Sequence, residues 1–539
     1  MPAIESRIDP RSEEFSRNRA EMLALIEEFR ALEARVRDAS NAKAATFRKR
    51  GQLLPRERLS LLLDPGAPWL ELSTLAGYRM HDDDGADGIQ GGGGIVGIGV
   101  VSGVRCMVTA NDSAIKGGTT APMGLKKSLR AQQIALENRL PMVRLVESGG
   151  ANLLYQAEIF VEGGRGFANQ ARMSAAGIPQ VTVVHGSSTA GGAYLPGLSD
   201  YVVMVKGKAK VFLAGPPLLR AATGEIATDE ELGGAEMHAT ISGVAEYLAE
   251  DDADGIRLAR EIMAKLPWNE QLPFRPSRDF AEPLYDPSEL AGVVPVDYRR
   301  PYDVREVIAR LVDGSDFLDF KSLYGIHTVC GHAAIAGHAC GIVGNNGPID
   351  ADGATKAAQF IQLCCQSNTP IIYLQNTTGY LVGREMEQAG IVKHGSKMIQ
   401  AVANATVPQI TLHIGASFGA GNYGMCGRAY DPRFIFAWPN NRIAVMGGEQ
   451  AAKVMSIVTG EKLRRGGQQA DPAMLKAMEE KIVRRMEVES SALFATARLW
   501  DDGLIDPRDS RKVLAWCLSI CREAEIRPLR PNTFGVARM

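Results

Sequence analysis

The sequence predicts an α/β protein that is built from two tandem domains of one fold and preceded by a helical segment. Two observations support this prediction. Strand-like apolar runs alternate with helix-like runs between residues 95 and 265, a pattern that is typical of α/β domains. Proline and glycine residues that bound the apolar runs recur at the same spacing 229 positions later, which indicates a repeated domain.

The helical segment opens the chain and is rich in Glu, Arg and Ala. Apolar residues recur at helical spacing over 12–49, so we predict a long amphipathic helix, interrupted near Gly51 and resumed over 56–63. We expect it to pack against the protein body or a partner. Residues 1–15 carry acidic side chains and no apolar core, unlike a signal or transit peptide, which favours a cytoplasmic protein.

The first domain is expected over residues 1–270. Predicted strands cover 95–101, 106–110, 143–146, 181–184 and 201–205, and predicted helices cover 125–138 and 167–176. The glycine-rich stretch 82–94 is expected to be a flexible turn. Seven prolines between 266 and 302 leave little room for regular structure, so we place a linker at 271–302 and a second domain at 303–539.

The second domain repeats the first at one constant offset. Residues 368–374 fall on 139–145, residues 407–410 on 178–181, Gly415 on Gly186, Ala420-Gly421 on Gly191-Gly192, and Lys356 on Lys127. A constant offset over about 65 positions that preserves proline and glycine is not expected by chance. It implies two domains of one fold that contain turns of the same geometry.

The composition excludes several classes of function. The net charge of −2, with no basic block, argues against nucleic acid or an anionic membrane as a partner. No stretch approaches about 18 uninterrupted apolar residues, so we expect no membrane span. The eight cysteines form no C-x-x-C pair and lie mostly in apolar surroundings, so we predict buried free thiols rather than disulfides or metal ligands.

The candidate catalytic element is the small-residue turn that follows the apolar run at 181–184. Gly191, Gly192 and Ala193 leave the backbone open to close approach. Backbone N–H groups at a strand end that opens into a helix form an oxyanion site without ionisable side chains. The alternative is that these small residues only allow a helix and a strand to pack tightly. The twin at Ala420-Gly421 weighs against that alternative, since a reaction between two carbonyl partners requires two such sites.

Other chemistries fit the sequence poorly. The G-x-S-x-G match at 415–419 would need a catalytic histidine after Ser417, but the last histidine is His413. The sequence has no H-E-x-x-H and no clustered metal ligands, so we expect no metal site. It has no P-loop motif, and no G-x-G-x-x-G follows a strand with an acidic residue about 20 positions on, so a dinucleotide site is not expected. A reaction in which a cofactor supplies the base fits better. Transfer of CO2 from N-carboxybiotin to the carbon acid of an acyl thioester would use one turn for the enolate oxygen and the other for the ureido oxygen.

From about residue 15 to the C-terminus, the chain resembles the carboxyltransferase (β) subunits of biotin-dependent acyl-CoA carboxylases. The segments that carry the resemblance are 50–64 (RGQLLPRERLSLLLD), 110–118 (ANDSAIKGG), 147–151 (ESGGA), 190–194 (AGGAY), 212–217 (FLAGPP), 222–225 (ATGE), 419–427 (GAGNYGMCG) and 445–450 (VMGGEQ). The versions at 212–217 and 419–427 are similar to the 3-methylcrotonyl-CoA and geranyl-CoA branch. The resemblance implies two tandem crotonase-like domains of the ClpP/crotonase superfamily.

The resemblance also assigns the residues of the two turns. It implies that residues 191–193 face the thioester oxygen and that Gly419, Ala420 and Gly421 face the ureido oxygen of biotin. Coenzyme A, which enters as part of the substrate, is expected in the N-terminal domain. Its candidate contacts are Lys116, Gly117, Gly118, Ser148, Gly149, Gly150 and Ala151. The alternative for 148–151 is a simple turn after a buried strand.

The same resemblance implies an assembly. In this family, the two domains at each active site come from different subunits, so a β dimer is the minimum unit and a β6 core within an α6β6 complex is expected. The sequence contains neither an ATP-binding glycine-rich loop nor a Met-Lys-Met biotin attachment site. We therefore expect a separate α subunit that carries the biotin and the biotin carboxylase.

One segment departs from the family pattern. Where 3-methylcrotonyl-CoA enzymes carry a longer, aromatic-rich segment, residues 162–170 read EGGRGFANQ, with Gly163 and Ala168 in place of bulky residues and Gly164 and Gly166 beside them. Filling an apolar slot is worth about 0.8 kcal/mol per buried CH2. We therefore predict a pocket for a long branched enoyl chain, and carboxylation of geranyl-CoA at its γ-carbon in acyclic terpene catabolism. The alternatives are 3-methylcrotonyl-CoA, as in leucine catabolism, or a surface loop that varies without consequence.

Two further classes of function stay open. A decarboxylase α subunit of a sodium pump shares the fold, would run the reaction backwards and would co-purify with membrane subunits. A non-catalytic scaffold would need neither glycine turn.

Overall fold

The computed structural model describes residues 3–81, 88–272 and 279–537. Three helices open the chain: α1 (Glu13–Asn41), α2 (Ala44–Lys49) and α3 (Pro55–Leu62). The predicted N-terminal helices are therefore confirmed, with an additional break at residues 42–43. The second break contains Gly51 in the left-handed region at φ 65°, and Pro55 then begins α3, where its missing N–H costs nothing.

The described chain forms two compact units, and each unit contains segments from both halves of the sequence. The N-terminal unit contains residues 31–275, 497–499 and 522–539, and the C-terminal unit contains 1–30, 276–496 and 500–521. Within the C-terminal unit, Phe15 of α1 packs so closely on Gly292 that an added Cβ would lie 2.5 Å from its ring. The boundaries predicted at 271–302 stay a prediction, and parts of the predicted linker (273–278) and glycine-rich turn (82–87) lie outside the described residues.

An eight-stranded sheet forms the core of the N-terminal unit. Its strands are β1 (Leu70–Glu71), β2 (Gly94–Val101), β3 (Val104–Asn111), β4 (Met142–Ser148), β5 (Gln180–Thr189), β6 (Tyr201–Val205), β7 (Lys210–Phe212) and β8 (Tyr247–Ala249). The order is β1-β2-β3-β4-β5-β6-β8, and β7 also pairs with β5. The first three strands pair antiparallel, and the strands from β3 to β8 pair parallel. All five strands predicted from the apolar runs are confirmed. The continuous apolar character of β4, β5 and β6 is typical of central parallel strands, which are buried on both faces.

Further helices of this unit lie between and after the strands in the sequence. They are α4 (Pro122–Glu137), α5 (Gln156–Ala175), α6 (Tyr194–Gly197), α7 (Pro216–Thr223), α8 (Asp229–Gly233), α9 (Ala235–Met237) and α10 (Asp252–Lys265). The predicted start of the second helix at residue 167 was wrong, since α5 already begins at Gln156. Three glycines lower its intrinsic helix propensity by up to about 1 kcal/mol each, but Ile159, Gln170 and Met173 are buried and hold the helix to the unit. The segment 162–170 is therefore helical rather than a loop.

The C-terminal unit contains a second, seven-stranded sheet. Its strands are β9 (Leu318–Phe320), β10 (Thr328–Ile335), β11 (His338–Asn345), β12 (Ile371–Thr377), β13 (Gln409–Phe418), β14 (Phe434–Ala437) and β15 (Arg442–Ala444). The order is β14-β13-β12-β11-β10-β9, with β15 paired to β13. The later helices of the chain are α11 (Leu290–Val293), α12 (Val304–Ala309), α13 (Ala351–Gln366), α14 (Arg384–Gln388), α15 (Ile391–Ala403), α16 (Gly421–Gly424), α17 (Gly448–Arg465), α18 (Pro472–Glu489), α19 (Ala492–Ala497) and α20 (Ser510–Ile526).

The internal repeat is confirmed at the level of single elements. Helix α13 and strands β12 and β13 each begin and end 229 positions after α4, β4 and β5. Both strand pairs carry a register irregularity at the same place, between Val146 and Ser148 and between Gln375 and Thr377. The predicted α/β class with two repeated domains is therefore correct.

Two smaller expectations concern cysteines and membrane spans. All eight cysteines are free, and seven are buried, with Cys365 half-buried, as predicted. Within the described ranges, no helix combines the length and the apolar character that crossing a bilayer requires.

Candidate active site

The first predicted turn lies where β5 of the N-terminal unit ends and α6 begins. Ala190 has a left-handed backbone at φ 52°, which is uncommon for a residue with a Cβ and is found at functional sites. Gly191 and Gly192 do not need a positive φ. Gly192 is buried and needs its small size instead, because an added Cβ would lie 3.3 Å from the Ser148 hydroxyl oxygen.

The second predicted turn repeats this backbone in the C-terminal unit. Gly419, at the position equivalent to Ala190, has φ 55°. A Cβ on Gly421 would lie 2.9 Å from both the Gly379 Cα and the Thr377 Cγ2. The N–H groups of Gly419 and Asn422 donate to the carbonyls of Ala444 and Gly419, at 2.9 and 3.1 Å.

The two N–H groups between these donors are available for an anion. Among the residues that the structure describes, the N–H groups of Ala420 and Gly421 have no hydrogen-bond acceptor. Ala420 is exposed, and Gly421 begins helix α16. Adjacent unpaired N–H groups beside a position without a side chain form the kind of site that stabilises a developing oxyanion.

The two loops predicted to bind coenzyme A lie against each other beside the first turn. A Cβ on Gly118 would lie 2.2 Å from the Glu147 carbonyl oxygen, and one on Gly149 would lie 3.3 Å from the Gly117 carbonyl oxygen. The Thr120 N–H donates to the Gly150 carbonyl at 2.8 Å. Lys116, Gly117, Gly149 and Ala151 are exposed along this edge, whereas Gly118, Ser148 and Gly150 are buried. The structure thus brings together the two predicted segments.

A buried ionic network beneath this edge was not anticipated from the sequence. Arg58 of α3 donates to the carboxylates of Glu147 and Asp252, at 2.8 and 3.0 Å. Asp252 also contacts the imidazole of His185 at 2.7 Å and accepts from the Leu53 N–H at 2.7 Å. Burial and the neighbouring guanidinium lower the pKa of His185. Burial raises the pKa of Asp252, but its hydrogen bond to His185 and the charges of His185 and Arg58 outweigh that effect and lower the pKa overall.

This network holds the strand ends that carry the first turn. Glu147 precedes Ser148 at the end of β4, and His185 lies in β5 immediately before Gly186. The residues come from segments far apart in the sequence, so no local pattern could have paired them. The only signal was that Arg58 and Glu147 both lie in segments that carry the family resemblance.

The predicted substrate pocket maps to one stripe of α5. At about 100° per residue, Phe160, Gly163, Gly164 and Phe167 share a face of this helix. A Cβ on Gly163 or Gly164 would meet no atom within 4 Å, and Phe160 is 80% exposed. The Phe167 ring lies 5.5 Å from the ring of Tyr194, which directly follows the first turn.

The other two predicted pocket residues lie to either side of this stripe. The nearest atom to a Cβ on Gly166 would be the Leu129 Cδ2 of α4, at 3.9 Å. Ala168 is half-buried. The structure therefore brings Gly163 and Gly164 together with the first turn through Phe167, and it places Gly166 toward α4.

The rival chemistries gain no support from the geometry. Ser417, the serine of the G-x-S-x-G match, is fully buried, and its hydroxyl accepts a hydrogen bond from the Asn422 amide at 2.7 Å. Within the part of the chain that the structure describes, no three His, Cys, Asp or Glu side chains form a group that could hold a metal ion.

The chain is similar to known proteins along its full length. The carboxyl transferase domain family matches residues 46–533. The chain is 51% identical over 538 residues to a probable biotin-dependent acyl-coenzyme A carboxylase beta2 subunit of Mycobacterium tuberculosis, covering 99% of this chain and 100% of that protein. It is 47% identical over 555 residues to a probable mitochondrial methylcrotonoyl-CoA carboxylase beta chain of Drosophila melanogaster, covering 99% and 95%. A crystal structure of the geranyl-CoA carboxylase beta subunit of P. aeruginosa superposes with a TM-score of 0.94 at 65% identity, covering 100% of both chains.

Proposed function

This chain belongs to the carboxyl transferase family of biotin-dependent acyl-CoA carboxylase β subunits, and we propose that it carboxylates geranyl-CoA at the γ-carbon. It is an enzyme that transfers CO2 from N-carboxybiotin to a branched, unsaturated acyl-CoA. The observation that carries the choice of geranyl-CoA is the open stripe of α5 at Gly163 and Gly164. The name of the 65%-identical P. aeruginosa protein supports the same choice.

The stripe suits a long apolar chain that starts at the first turn. Phe167 contacts Tyr194 at one end of the stripe, and the two glycines follow on the same face of the helix. The exposed Phe160 lies at the other end, seven residues or about 10 Å toward the N-terminus of the helix. A branched C10 chain is apolar and of comparable length. Burying its five extra carbons, relative to a C5 chain, is worth up to about 4 kcal/mol at 0.8 kcal/mol per carbon.

The first turn is assigned to the thioester. Removal of a γ-proton from a conjugated thioester produces a dienolate whose negative charge lies largely on the carbonyl oxygen. Residues 191–193 would donate backbone hydrogen bonds to that oxygen and stabilise it. The exposed edge at Lys116, Gly117 and Gly149 would hold coenzyme A beside it.

The second turn is assigned to biotin. The unpaired N–H groups of Ala420 and Gly421, beside a space that a Cβ would fill, fit a ureido oxygen that gains negative charge. When bound, carboxylated biotin supplies the CO2, and its freed ureido nitrogen supplies the base. The residues of this turn bind and orient the ureido group and stabilise its charge.

The proposal includes the assembly. A separate α subunit would carry the biotin and its carboxylase, and a β6 core within a cytoplasmic α6β6 complex would complete each site from two β subunits. The expected result of co-expression is a complex that contains both subunits and fixes labelled bicarbonate only when both are present.

A substrate comparison tests the choice of acyl chain. In the reconstituted complex, we expect Gly163→Phe to lower kcat/KM for geranyl-CoA at least tenfold and to change it less than threefold for 3-methylcrotonyl-CoA. The added ring would fill the stripe that the longer chain needs. Gly163→Ala is the matched control, because a methyl group leaves most of the space open. If the wild-type complex turns over only the C5 substrate, the proposal of a long pocket is wrong.

The second candidate substrate is 3-methylcrotonyl-CoA. It is favoured by the 47% identity to a methylcrotonoyl-CoA carboxylase beta chain. The same kcat/KM comparison in wild type decides between the two thioesters.

A further inference from the structure

We propose that Ser188 is a positioning residue that fixes the orientation of the first turn. Its hydroxyl donates a hydrogen bond to the Gly192 carbonyl oxygen at 2.9 Å. Ser188 is fully buried in β5, and Gly192 is buried four residues later. The bond therefore runs from the sheet directly to the middle of the candidate oxyanion turn.

Glycine makes such a restraint necessary. Gly192, like Gly191, has no side chain to limit its backbone rotation and therefore has more intrinsic conformational freedom than Ala193. Because a peptide unit is planar and trans, holding the Gly192 carbonyl fixes the direction of the peptide that follows it and the torsion at Gly192 itself. An oxyanion donor must lie within about 2.7–3.1 Å of the oxygen that becomes charged, so a small rotation of the turn is enough to lose it.

A second buried serine, on the neighbouring strand, lies beside the position that a Gly192 side chain would occupy. A Cβ on Gly192 would lie 3.3 Å from the Ser148 hydroxyl oxygen and 3.5 Å from that of Ser188. Ser148 and Ser188 are register partners across β4 and β5, just past the irregularity at Val146. Ser188 thus holds the Gly192 carbonyl, while Ser148 leaves no room for a larger residue at position 192, at the point where the sheet changes register.

The C-terminal unit restrains the same carbonyl by another residue. Gly421, the equivalent of Gly192, accepts a hydrogen bond from the Gln375 amide at 3.4 Å. Ser417, the equivalent of Ser188, instead accepts from Asn422. A buried polar side chain thus holds this carbonyl in both units although the residue differs, which favours a requirement of the turn over an accident of packing.

The inference rests on the proposed assignment of residues 191–193 to the thioester oxygen. In the wild-type complex and its variants, we expect Ser188→Ala to lower kcat about five- to tenfold, the usual worth of one hydrogen bond, with KM for the acyl-CoA within twofold of wild type. A role in transition-state geometry changes kcat, whereas a merely structural role lowers the amount or the melting temperature of folded protein and leaves kcat per active site unchanged.

Three further variants make the test specific. Ser188→Thr keeps the hydroxyl and should retain most of the wild-type kcat. Ser188→Cys keeps a similar volume but has only a weak S–H donor, so its kcat should be as low as that of Ser188→Ala. Ser187→Ala removes an exposed hydroxyl from the same strand and serves as the control. A Ser188→Ala enzyme with kcat within twofold of wild type, or with its loss confined to KM, overturns the inference.

Gly192→Val separates this inference from the proposed function. If Gly192→Val abolishes activity while Ser188→Ala leaves kcat unchanged, the turn is catalytic and only the positioning role of Ser188 fails. If Gly192→Val leaves the assembled complex active, the assignment of the turn itself is wrong.

Discussion

Substitution of Gly421 by alanine is the sharpest single test of the second turn. The added methyl group would lie 2.9 Å from the Gly379 Cα and the Thr377 Cγ2, and 3.3 Å from the Gly379 nitrogen. Two of these three atoms belong to the backbone and cannot swing away as a flexible side chain does. Relief to an ordinary contact of about 3.4–4 Å therefore requires the turn to move by roughly 0.5–1 Å.

The magnitude of the effect follows from that displacement. A hydrogen-bond donor that moves by this distance leaves the range of about 2.7–3.1 Å in which it stabilises an oxyanion. Loss of one such donor typically lowers kcat by about 10²–10³, or about 2.7–4 kcal/mol of transition-state stabilisation. Overpacking a buried site also lowers the free energy of unfolding by about 1–3 kcal/mol, which need not unfold a chain with two large cores.

The assay is fixation of labelled bicarbonate by the reconstituted complex, with a thermal melt of each β subunit. We expect Gly421→Ala to lower kcat by at least a hundredfold while KM for the acyl-CoA stays within threefold, because the first turn is unchanged. Gly460→Ala in α17 is the matched control, since a Cβ there would meet no atom within 4 Å. A folded Gly421→Ala complex that retains more than a third of wild-type kcat would show that this turn is not an oxyanion site.

Two further predictions concern stability. Arg58→Met leaves the buried Asp252 carboxylate and the largely buried Glu147 carboxylate without their guanidinium partner, so we expect the free energy of unfolding to fall by about 3–5 kcal/mol in chemical denaturation. Burial raises the pKa of Asp501 to about 7, so the folded state holds this proton more tightly than the unfolded state does. The resulting stability is present below about pH 4 and is lost as the pH rises toward 7, so the difference in unfolding free energy between wild type and Asp501→Asn should decrease from pH 5 to pH 8.

Each stability prediction has a matched comparison. The exposed Arg257 side chain forms ion pairs with the half-buried Asp254 and the exposed Glu261, so Arg257→Met should lower the free energy of unfolding by less than about 1 kcal/mol. An equal decrease in the free energy of unfolding for Arg58→Met and Arg257→Met would contradict a stabilising role for the Arg58 network. Parallel curves of unfolding free energy against pH for wild type and Asp501→Asn would mean that Asp501 does not hold its proton in the folded state.

Local patterns in the sequence were sufficient to predict the repeated fold. Buried parallel strands appear as apolar runs, and the constant offset of 229 preserves the proline and glycine that end them. The two glycine turns followed from the same reasoning, because a strand end, small residues and a helix start are contiguous along the chain. The family motifs then related these turns to a thioester and to biotin.

The tertiary structure decided what depends on residues that are distant in sequence. Burial of Met173 and its neighbours made 156–175 one helix despite three glycines, so the segment predicted to form the pocket is an open stripe of α5 beside Phe167 rather than the alternative surface loop. Ser148 and Ser188 meet at Gly192 only because two parallel strands share a register irregularity. Arg58 pairs with Glu147, 89 residues away in the sequence, and with Asp252, 194 residues away. Sequence periodicity reports which face of an element is buried, whereas these contacts depend on how the buried faces meet.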